Sequence, residues 1–250
     1  MSRSLASAAV LALVVTSIAR AGQTAQAPTA VELQQRLAAC AHALRDWAGL
    51  TRYGSDNAEL PAPAADGARV VFFGDQITEG WGRSAAKFFA GRPYVNRGLA
   101  GQTTAQMLVR FRQDVVALKP KAVIIQGGTN DIASLFTPGT EALVVDNVRS
   151  MIDIAKANGI RVILASITPV CDCVSDQTTM RPQGKLIGLN GALRDVAADS
   201  GSIFLDFYAA LVNGRDFKPA LTADGLLPND AGYAVMAPLA EQAIAQALGR

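Results

Sequence analysis

Three carboxylates that could take part in chemistry stand just after short apolar runs or in a late loop: Asp75, Asp131 and Asp224. Pairs of carboxylates can hydrolyse glycosidic bonds when they lie about 5 to 9.5 Å apart. Aspartates in turns more often hold their loop through hydrogen bonds to nearby backbone N–H groups. We expect that structural role for Asp75 and Asp131.

The hydroxyl and thiol groups near these aspartates lack a suitable base. Cys173 or a threonine such as Thr78 would need an adjacent base to act as a nucleophile. A carboxylate, with an ordinary pKa near about 4, is a poor base at neutral pH. The single histidine, His42, lies in the predicted N-terminal helix before the linker and is expected to be an ordinary helix residue.

Apolar runs rich in β-branched residues alternate with segments of helical periodicity from residue 69 onward. The predicted strands are RVVFF, YVNRG, KAVIIQGG, RVILASIT and SIFLDF. The predicted helices cover residues 103–118, 142–159, 184–201 and 229–248. This alternation predicts an α/β domain with a five-stranded parallel sheet and helices on both faces.

In such a sheet, ligands bind beyond the carboxyl ends of the strands. Five separate segments place polar or small residues at that edge. They are Asp75 and Gln76, Asn96 and Gly98, Thr129 to Asp131, Asp172 and Cys173, and Asp224. The sequence therefore predicts one composite site there.

Four blocks of the sequence, FFGDQITEGW, NRGLAGQTT, GGTND and DGLLPNDAGY, resemble the spaced motifs of the SGNH hydrolases, also called GDSL lipases or esterases. The resemblance runs from about Arg69 to the C-terminus and keeps the order and spacing of the blocks. It implies a three-layer, flavodoxin-like sandwich. It also implies an esterase site with a serine nucleophile, a histidine base, an orienting aspartate and an oxyanion hole.

Residue by residue, the resemblance assigns the oxyanion positions to Gly98 and Asn130 and the orienting acid to Asp224. Gln76 stands where the serine belongs, and Leu227 stands where the histidine belongs. A carboxamide is not a nucleophile, and leucine can neither accept nor hold a proton. We expect a catalytically degenerate family member that acts by binding. The alternatives are an active acyl or acetyl-sugar esterase with a non-standard site, and an interaction module whose pocket is irrelevant.

The remaining pocket could still bind a small neutral ester or a carbohydrate. Gln76 could itself fill the oxyanion hole and occupy the donors there. Leu227 would add an apolar wall, and Trp81 could either cover a ligand or pack in the core. No cofactor and no metal ion are expected.

The N-terminus has the pattern of a secretory signal peptide, with Arg3, an apolar run and the small-x-small sequence ARA. We expect cleavage after Ala21 and an exported, periplasmic or extracellular protein, although an uncleaved anchor is the alternative. The predicted organisation is a signal peptide (1–21), an N-terminal helix and linker (22–68) and an SGNH hydrolase-type domain (69–250).

The predicted mature chain is close to electrically neutral. Loss of Arg3 and Arg20 reduces the 23 basic residues to 21, which equals the number of acidic residues. With no basic run, this balance argues against nucleic acid as a partner and against stable membrane association after cleavage.

The sequence holds three cysteines, Cys40, Cys171 and Cys173. Export permits disulfides, but Cys171 and Cys173 are separated by one residue and are expected to pair poorly with each other. Cys40 could bridge to one of them and leave the other free, or all three could remain thiols. Zinc is not expected, because there is no second cysteine pair and only one histidine.

Overall fold

The computed structural model describes residues 29–63, 68–84, 86–133 and 140–250. The predicted signal peptide lies outside these residues. The chain divides into two compact units, Met1–Arg45 and Asp46–Arg250. In the described part of the first unit the chain forms helix α1, Ala30–Arg45. Across all the described ranges, no helix is both long and apolar enough to cross a membrane.

The second unit is built on a five-stranded parallel sheet, as the sequence predicts. Its strands are β1 (Val70–Gly74), β2 (Tyr94–Gly98), β3 (Ala122–Gln126), β4 (Arg161–Ala165) and β5 (Ile203–Leu205). Their spatial order is β2-β1-β3-β4-β5, which is the flavodoxin-like order. Gly74 pairs in register with both Gly98 and Gln126, so the first three strands end at the same level.

The helices of this unit cover both faces of the sheet. They are α2 (Gly54–Glu59), α3 (Gln76–Ser84), α4 (Ala86–Phe89), α5 (Thr104–Asp114), α6 (Thr129–Ala133), α7 (Thr140–Ala157), α8 (Gln183–Ser200), α9 (Phe207–Leu211) and α10 (Asp230–Leu248). A small hairpin, β6 (Val212–Asn213) and β7 (Asp216–Phe217), follows α9. The four long helical patterns are confirmed within a few residues, and the short helices are additions to the prediction.

Alternate residues of each central strand enter two different cores. Val71 and Phe73 of β1 pack with α5, α7 and α8 on one face, in a cluster that also contains Met107. Val70 and Phe72 pack on the other face with α3, α9 and α10. Every residue of β1 and β3 is buried, as expected for strands covered on both sides.

The segment before β1 belongs to the compact α/β unit, which extends from Asp46 to Arg250. Tyr53 is buried and its hydroxyl donates to the carbonyl of Gly98 at the end of β2. Gln102 Nε2 donates to the carbonyl of Ala48 at 2.6 Å. The residues that precede the predicted domain therefore support the edge of the sheet at which the candidate site lies.

Candidate functional site

The turn after β1 places Gln76 at the first position of α3. Asp75 lies between strand and helix, is 1% exposed, and accepts a hydrogen bond from the Ile77 N–H at 2.9 Å through Oδ1. Arg110, which is fully buried, donates to the Gly74 carbonyl at 2.9 Å and to Gln102 Oε1. These contacts fix both the strand end and the neighbouring loop, and so they fix the Gln76 backbone.

The Gln76 carboxamide forms a reciprocal pair with the Asn130 carboxamide. Asn130 Nδ2 donates to Gln76 Oε1 at 2.7 Å, and Gln76 Nε2 donates to Asn130 Oδ1 at 3.1 Å. The backbone N–H of Gly101 also donates to Gln76 Oε1, at 3.1 Å. The glutamine oxygen thus lies where two convergent donors meet, which is the arrangement that stabilises an oxyanion in acyl-transfer enzymes.

The second donor of Asn130 is also in use. Asn130 Nδ2 donates to the carbonyl of Gln102 at 2.9 Å, which orients the amide toward Gln76. Among the described residues, this leaves one N–H of Gln76 Nε2 and one lone pair of Asn130 Oδ1 without a recorded protein partner. The pair therefore still offers one donor and one acceptor to a ligand.

The backbone N–H of Gly98, which the sequence predicted to be an oxyanion donor, is used within the protein. Its N–H donates to Asn96 Oδ1 at 2.8 Å, and Asn96 Nδ2 donates to the Thr78 carbonyl at 2.6 Å. A Cβ at Gly98 would lie 2.1 Å from the Glu79 backbone nitrogen, so glycine is needed for the close approach of β2 to α3. The donor comes from Gly101 instead, three residues later in the same block, where a φ of +79° favours glycine.

Asp75 and Asp131 are buried carboxyl groups with structural contacts. Asp131 accepts from the Thr104 hydroxyl at 2.6 Å and from the Thr104 N–H at about 3 Å. Burial raises the pKa of Asp131, and it raises the pKa of Asp75 to about 7, with the Asp131 charge adding to the effect. The hydrogen bond from Ile77 and the charge of Arg181 partly offset this increase by lowering the pKa of Asp75. Both groups hold loops, and neither faces an available nucleophile.

The hydroxyl groups of Thr104 and Thr78 are committed to structural bonds, whereas the buried Thr129 hydroxyl has no hydrogen-bond partner among the described residues. Thr104 bonds to Asp131, and Thr78 Oγ1 donates to Gln126 Oε1 at 3.4 Å. Trp81, which could have covered a ligand, is 1% exposed and stacks against Phe88 and Tyr233 in the core. Its role is packing.

At the other end of the site, Asp224 holds the loop that carries Leu227. Asp224 Oδ1 accepts from the N–H groups of Leu226 at 2.9 Å and Leu227 at 2.7 Å. The Leu227 side chain is half-buried against the core on the α3 and α10 face. It also lines a cavity of about 630 Å³ together with Pro228 and Tyr233. Leu227 therefore contributes an apolar surface to this cavity.

Arg181 is a functional candidate that the sequence did not reveal. Its charge interacts with the carboxylates of Asp75 and Asp224, while burial lowers its pKa. Nη1 donates to Gln177 Oε1 at 3.0 Å, and Nε is buried without a hydrogen-bond partner in the described part of the chain. An arginine in a polar, proline-containing loop carries no sequence signal for this position.

The cysteine prediction is wrong, because Cys171 and Cys173 are bonded to each other. Their Cα atoms are 5.2 Å apart, which is within the usual range for a disulfide. The chain turns at Asp172, whose carboxylate accepts from the N–H groups of Gln177 and Thr178. An extended chain would separate the two Cα atoms by about 6.5 Å, near the upper end of that range, so the turn brings the two cysteines closer together. Within the described ranges, no group of three or more His, Cys, Asp or Glu could hold a metal ion.

Known proteins resemble this chain in both sequence and structure. The model of the GDSL-like Lipase/Acylhydrolase family matches residues 72–235. A candidate acylhydrolase from Bacteroides fragilis NCTC 9343 is 41% identical, with a TM-score of 0.76 over 81% of this chain and 98% of that chain. A GDSL-like lipase from Bacteroides thetaiotaomicron VPI-5482 is 38% identical, with a TM-score of 0.73 over 80% of this chain and 98% of that chain.

A further relative is the uncharacterized lipoprotein YqeF of Bacillus subtilis strain 168. It is 34% identical over 82 residues, which are 31% of this chain and 33% of the lipoprotein. The match therefore spans about a third of that relative's length. The family match is broader and includes the positions of Gln76, Asn130, Asp224 and Leu227.

Proposed function

Because the chain belongs to the GDSL-like lipase/acylhydrolase family, we propose that it is a non-catalytic member that binds a small neutral ester or carbohydrate without hydrolysing it. The observation that carries this proposal is the occupation of the oxyanion donors. Gly101 N–H and Asn130 Nδ2 both donate to the side chain that stands in the nucleophile position.

Gln76 works against hydrolysis in two ways. Gln76 supplies no ionisable proton and therefore no nucleophile near neutral pH. Its oxygen also fills the place where negative charge would develop in the transition state, so substrate oxygen would have to displace it. At the other end, Leu227 cannot take up the proton that a nucleophile would release.

The remaining hydrogen-bonding capacity favours a neutral ligand. One donor on Gln76 and one acceptor on Asn130 match a hydroxyl group, which can both accept and donate. The same donor alone could serve an ester carbonyl. An anion would find a single free N–H at this pair, because the other donors are already used within the protein.

Export is part of the proposal. The pattern around Arg3 and Ala21 predicts a cleaved signal peptide, and the lipoprotein relative supports an exported family branch. N-terminal sequencing of the protein recovered outside the cytoplasm is expected to begin at Gly22. A membrane-bound form that begins at Met1 would contradict cleavage.

Hydrolysis of p-nitrophenyl acetate tests the catalytic part of the proposal. The wild type is expected to show no turnover above the Gln76→Ala variant, which lacks the amide pair. An authentic family esterase serves as the positive control. If wild-type turnover came within a few tens-fold of that esterase, and Asn130→Ala abolished it, the chain would be an active esterase with a non-standard site.

Calorimetric titration tests the binding part. Triacetin and an acetylated xylobiose are suitable neutral probes, and acetate is the matched anion. If a neutral probe binds the wild type and binds the Gln76→Leu variant more weakly, the result supports the Gln76–Asn130 pair as the group that contacts the ligand. A variant of this kind keeps the side-chain volume and removes both hydrogen-bonding atoms. If acetate bound better than the neutral probes, the proposed ligand class would be wrong.

A further inference from the structure

The Cys171–Cys173 disulfide does not link distant parts of the molecule. Its two cysteines enclose only Asp172. A disulfide stabilises a fold mainly by restricting the unfolded chain, and the restriction grows with the length of the closed loop. A bond across one residue lies at the lower limit of that effect, so stability is a poor explanation for it.

The loop that carries the disulfide is held in place by other contacts. The Asp172 carboxylate accepts from Gln177 N–H at 2.7 Å, from Thr178 N–H at 2.8 Å and from the Thr178 hydroxyl. Cys171 N–H donates to the Gly225 carbonyl at 2.9 Å. Ser175 Oγ donates to the Asp224 carbonyl at 2.8 Å. After reduction, these bonds would keep the two thiols adjacent and ready to close again.

The two sulfur atoms differ in accessibility. Cys171 is 3% exposed and packs in the core with Phe217, whereas Cys173 is exposed. Exchange proceeds by attack of a thiolate on one sulfur of the disulfide, and access decides which sulfur is attacked. The exposed Cys173 is therefore the target, and the buried Cys171 is the leaving group.

A cavity of about 460 Å³ lies beside the disulfide. Its lining consists of Cys171, Asp172, Cys173, Thr178, Gln183, Asp216, Phe217 and Pro219. Two of these side chains are carboxylates, and this lining includes no lysine, arginine or histidine. The hydrogen bonds from Thr178 and Gln177 lower the pKa of Asp172 and so favour its charged form. A negative lining repels anionic reactants and attracts cationic ones.

We propose that Cys171–Cys173 is a thiol–disulfide exchange site whose substrates are small neutral or cationic thiols. The thiolate of the substrate attacks Cys173 Sγ and forms a mixed disulfide. The Cys171 thiolate leaves and takes up the proton that the substrate thiol released. A second substrate thiolate then attacks the substrate sulfur of the mixed disulfide, forms a substrate disulfide and releases Cys173, which is protonated in turn. Two thiols are oxidised to one disulfide, while the protein disulfide is reduced to two thiols.

The oxidation state of the pair is the first measurement. Trypsin releases residues 162–185 as one peptide, because Pro182 blocks cleavage after Arg181, and this peptide contains both cysteines of the pair and no others. In the full exported chain carrying Cys40→Ser, purified in air, the peptide is expected to resist alkylation and to be lighter by two hydrogen atoms. After dithiothreitol it should carry two alkyl groups, while the protein keeps its far-UV dichroism and cooperative melting.

Either of two results here would overturn the proposal. One is a pair of free thiols in the protein purified in air. The other is loss of cooperative folding on reduction, which would make the bond structural. The Cys173→Ser variant checks the assignment, because it should fold like the wild type and leave Cys171 poorly alkylated without denaturant.

The charge of the substrate thiol is the second measurement. Cysteamine carries a positive charge, 2-mercaptoethanol is neutral and mercaptoacetate is negative. Their rate constants for reduction of the Cys171–Cys173 disulfide are compared after division by the thiolate fraction of each reagent. We expect mercaptoacetate to react about tenfold or more slowly than 2-mercaptoethanol at low salt. Asp216→Asn keeps the oxygen that accepts from Gln183 Nε2 and should bring the mercaptoacetate and 2-mercaptoethanol rates closer together. Asp153→Asn, an exposed change on α7 away from the cavity lining, should leave the ratio of these rates unchanged. Equal rates across the series, or faster mercaptoacetate, would contradict the proposed substrate class.

Discussion

The two ends of the candidate site are held by different kinds of contact. At the first end, Gln76 is polar and forms hydrogen bonds with Gly101 and Asn130, which occupy the donors of the site. At the second end, Leu227 contributes only apolar packing, and Asp224 bonds to the backbone of its own loop. The first end is thus held by polar side-chain contacts, whereas the second combines an apolar side chain with a polar loop support.

The largest expected effect comes from restoring both ends together. Gln76→Ser frees the donors and supplies a hydroxyl, and Leu227→His supplies the base beside Asp224. Loss of a catalytic triad costs about 10⁶-fold in kcat, and a displacement of about 1 Å costs about 10²-fold, so we expect roughly 10⁴-fold more p-nitrophenyl acetate hydrolysis than wild type. Each single change should gain little, because serine and base act as a unit.

The two single variants are the matched controls for this experiment, together with Asn130→Ala in the double variant. A double variant that melts cooperatively but stays at the background rate would show that the backbone has drifted from catalytic geometry. In that case Asp224 would no longer be placed to orient an imidazole at position 227, and the second end would not have kept its support.

A buried carboxyl group beside the first end should make stability depend on pH. The Asp75 pKa in the fold is about 7, against an ordinary value of 3.8. Because the pKa of Asp75 is higher in the folded state, its contribution to the free energy of unfolding is fully present below pH 4. That contribution is lost as the pH rises toward 7. At about 1.4 kcal/mol per unit, the loss amounts to at most about 4 kcal/mol.

Asp75→Asn removes that loss and keeps an oxygen for the Ile77 N–H. In urea unfolding the variant should come closest to the wild type below pH 4 and exceed it most at pH 8. Asp153→Asn on the surface of α7 controls for general charge. A stability difference that is the same at both pH values would show that Asp75 does not titrate in this range.

The sequence predicted the fold well because the fold depends on pattern. Buried strands such as β1 and β3 consist of continuous β-branched and aromatic residues, and their alternation with helices determines the architecture. The short helices were missed because four to six residues carry too little periodicity. The nine-residue helix that begins at Gln76 was also missed.

The polar geometry of the site depends on contacts that no local pattern encodes. Gln76 and Asn130 are 54 residues apart, and their pairing requires that β1 and β3 end side by side. The sequence analysis assigned the oxyanion donor to Gly98. A glycine is needed at that position because it packs closely against Glu79, and the backbone donor is Gly101. The Cys171–Cys173 bond lies in a turn that Asp172 stabilises through residues five and six positions later.

Substitutions that conserve volume sharpen the contrast between the two ends. Gln76→Leu removes the partners of the Gly101 and Asn130 donors and should cost about 1–3 kcal/mol, because partly buried donors would face an apolar side chain. Leu227→Met changes only the shape of an apolar group and should cost less than about 1.5 kcal/mol. Urea unfolding with a common slope measures both changes. If Leu227→Met were the more destabilising, the first end would not be the more tightly integrated one.

The smallest expected effect concerns Asp224, and it separates the two roles that this residue could have. In the present chain its Oδ1 accepts from Leu226 and Leu227 N–H groups. Asp224→Asn keeps an acceptor oxygen and should change the free energy of unfolding by less than about 0.5 kcal/mol, as for a substitution that preserves its contacts. Asp224→Ala leaves both half-buried N–H groups without that partner and should cost about 1 kcal/mol. A large loss for Asp224→Asn would mean that the charge itself is needed, and one partner of that charge is Arg181, which interacts electrostatically with Asp224. Asp224→Asn combined with Arg181→Met would then be less destabilising than the sum of the single changes, because one partner's loss already leaves the other unpaired.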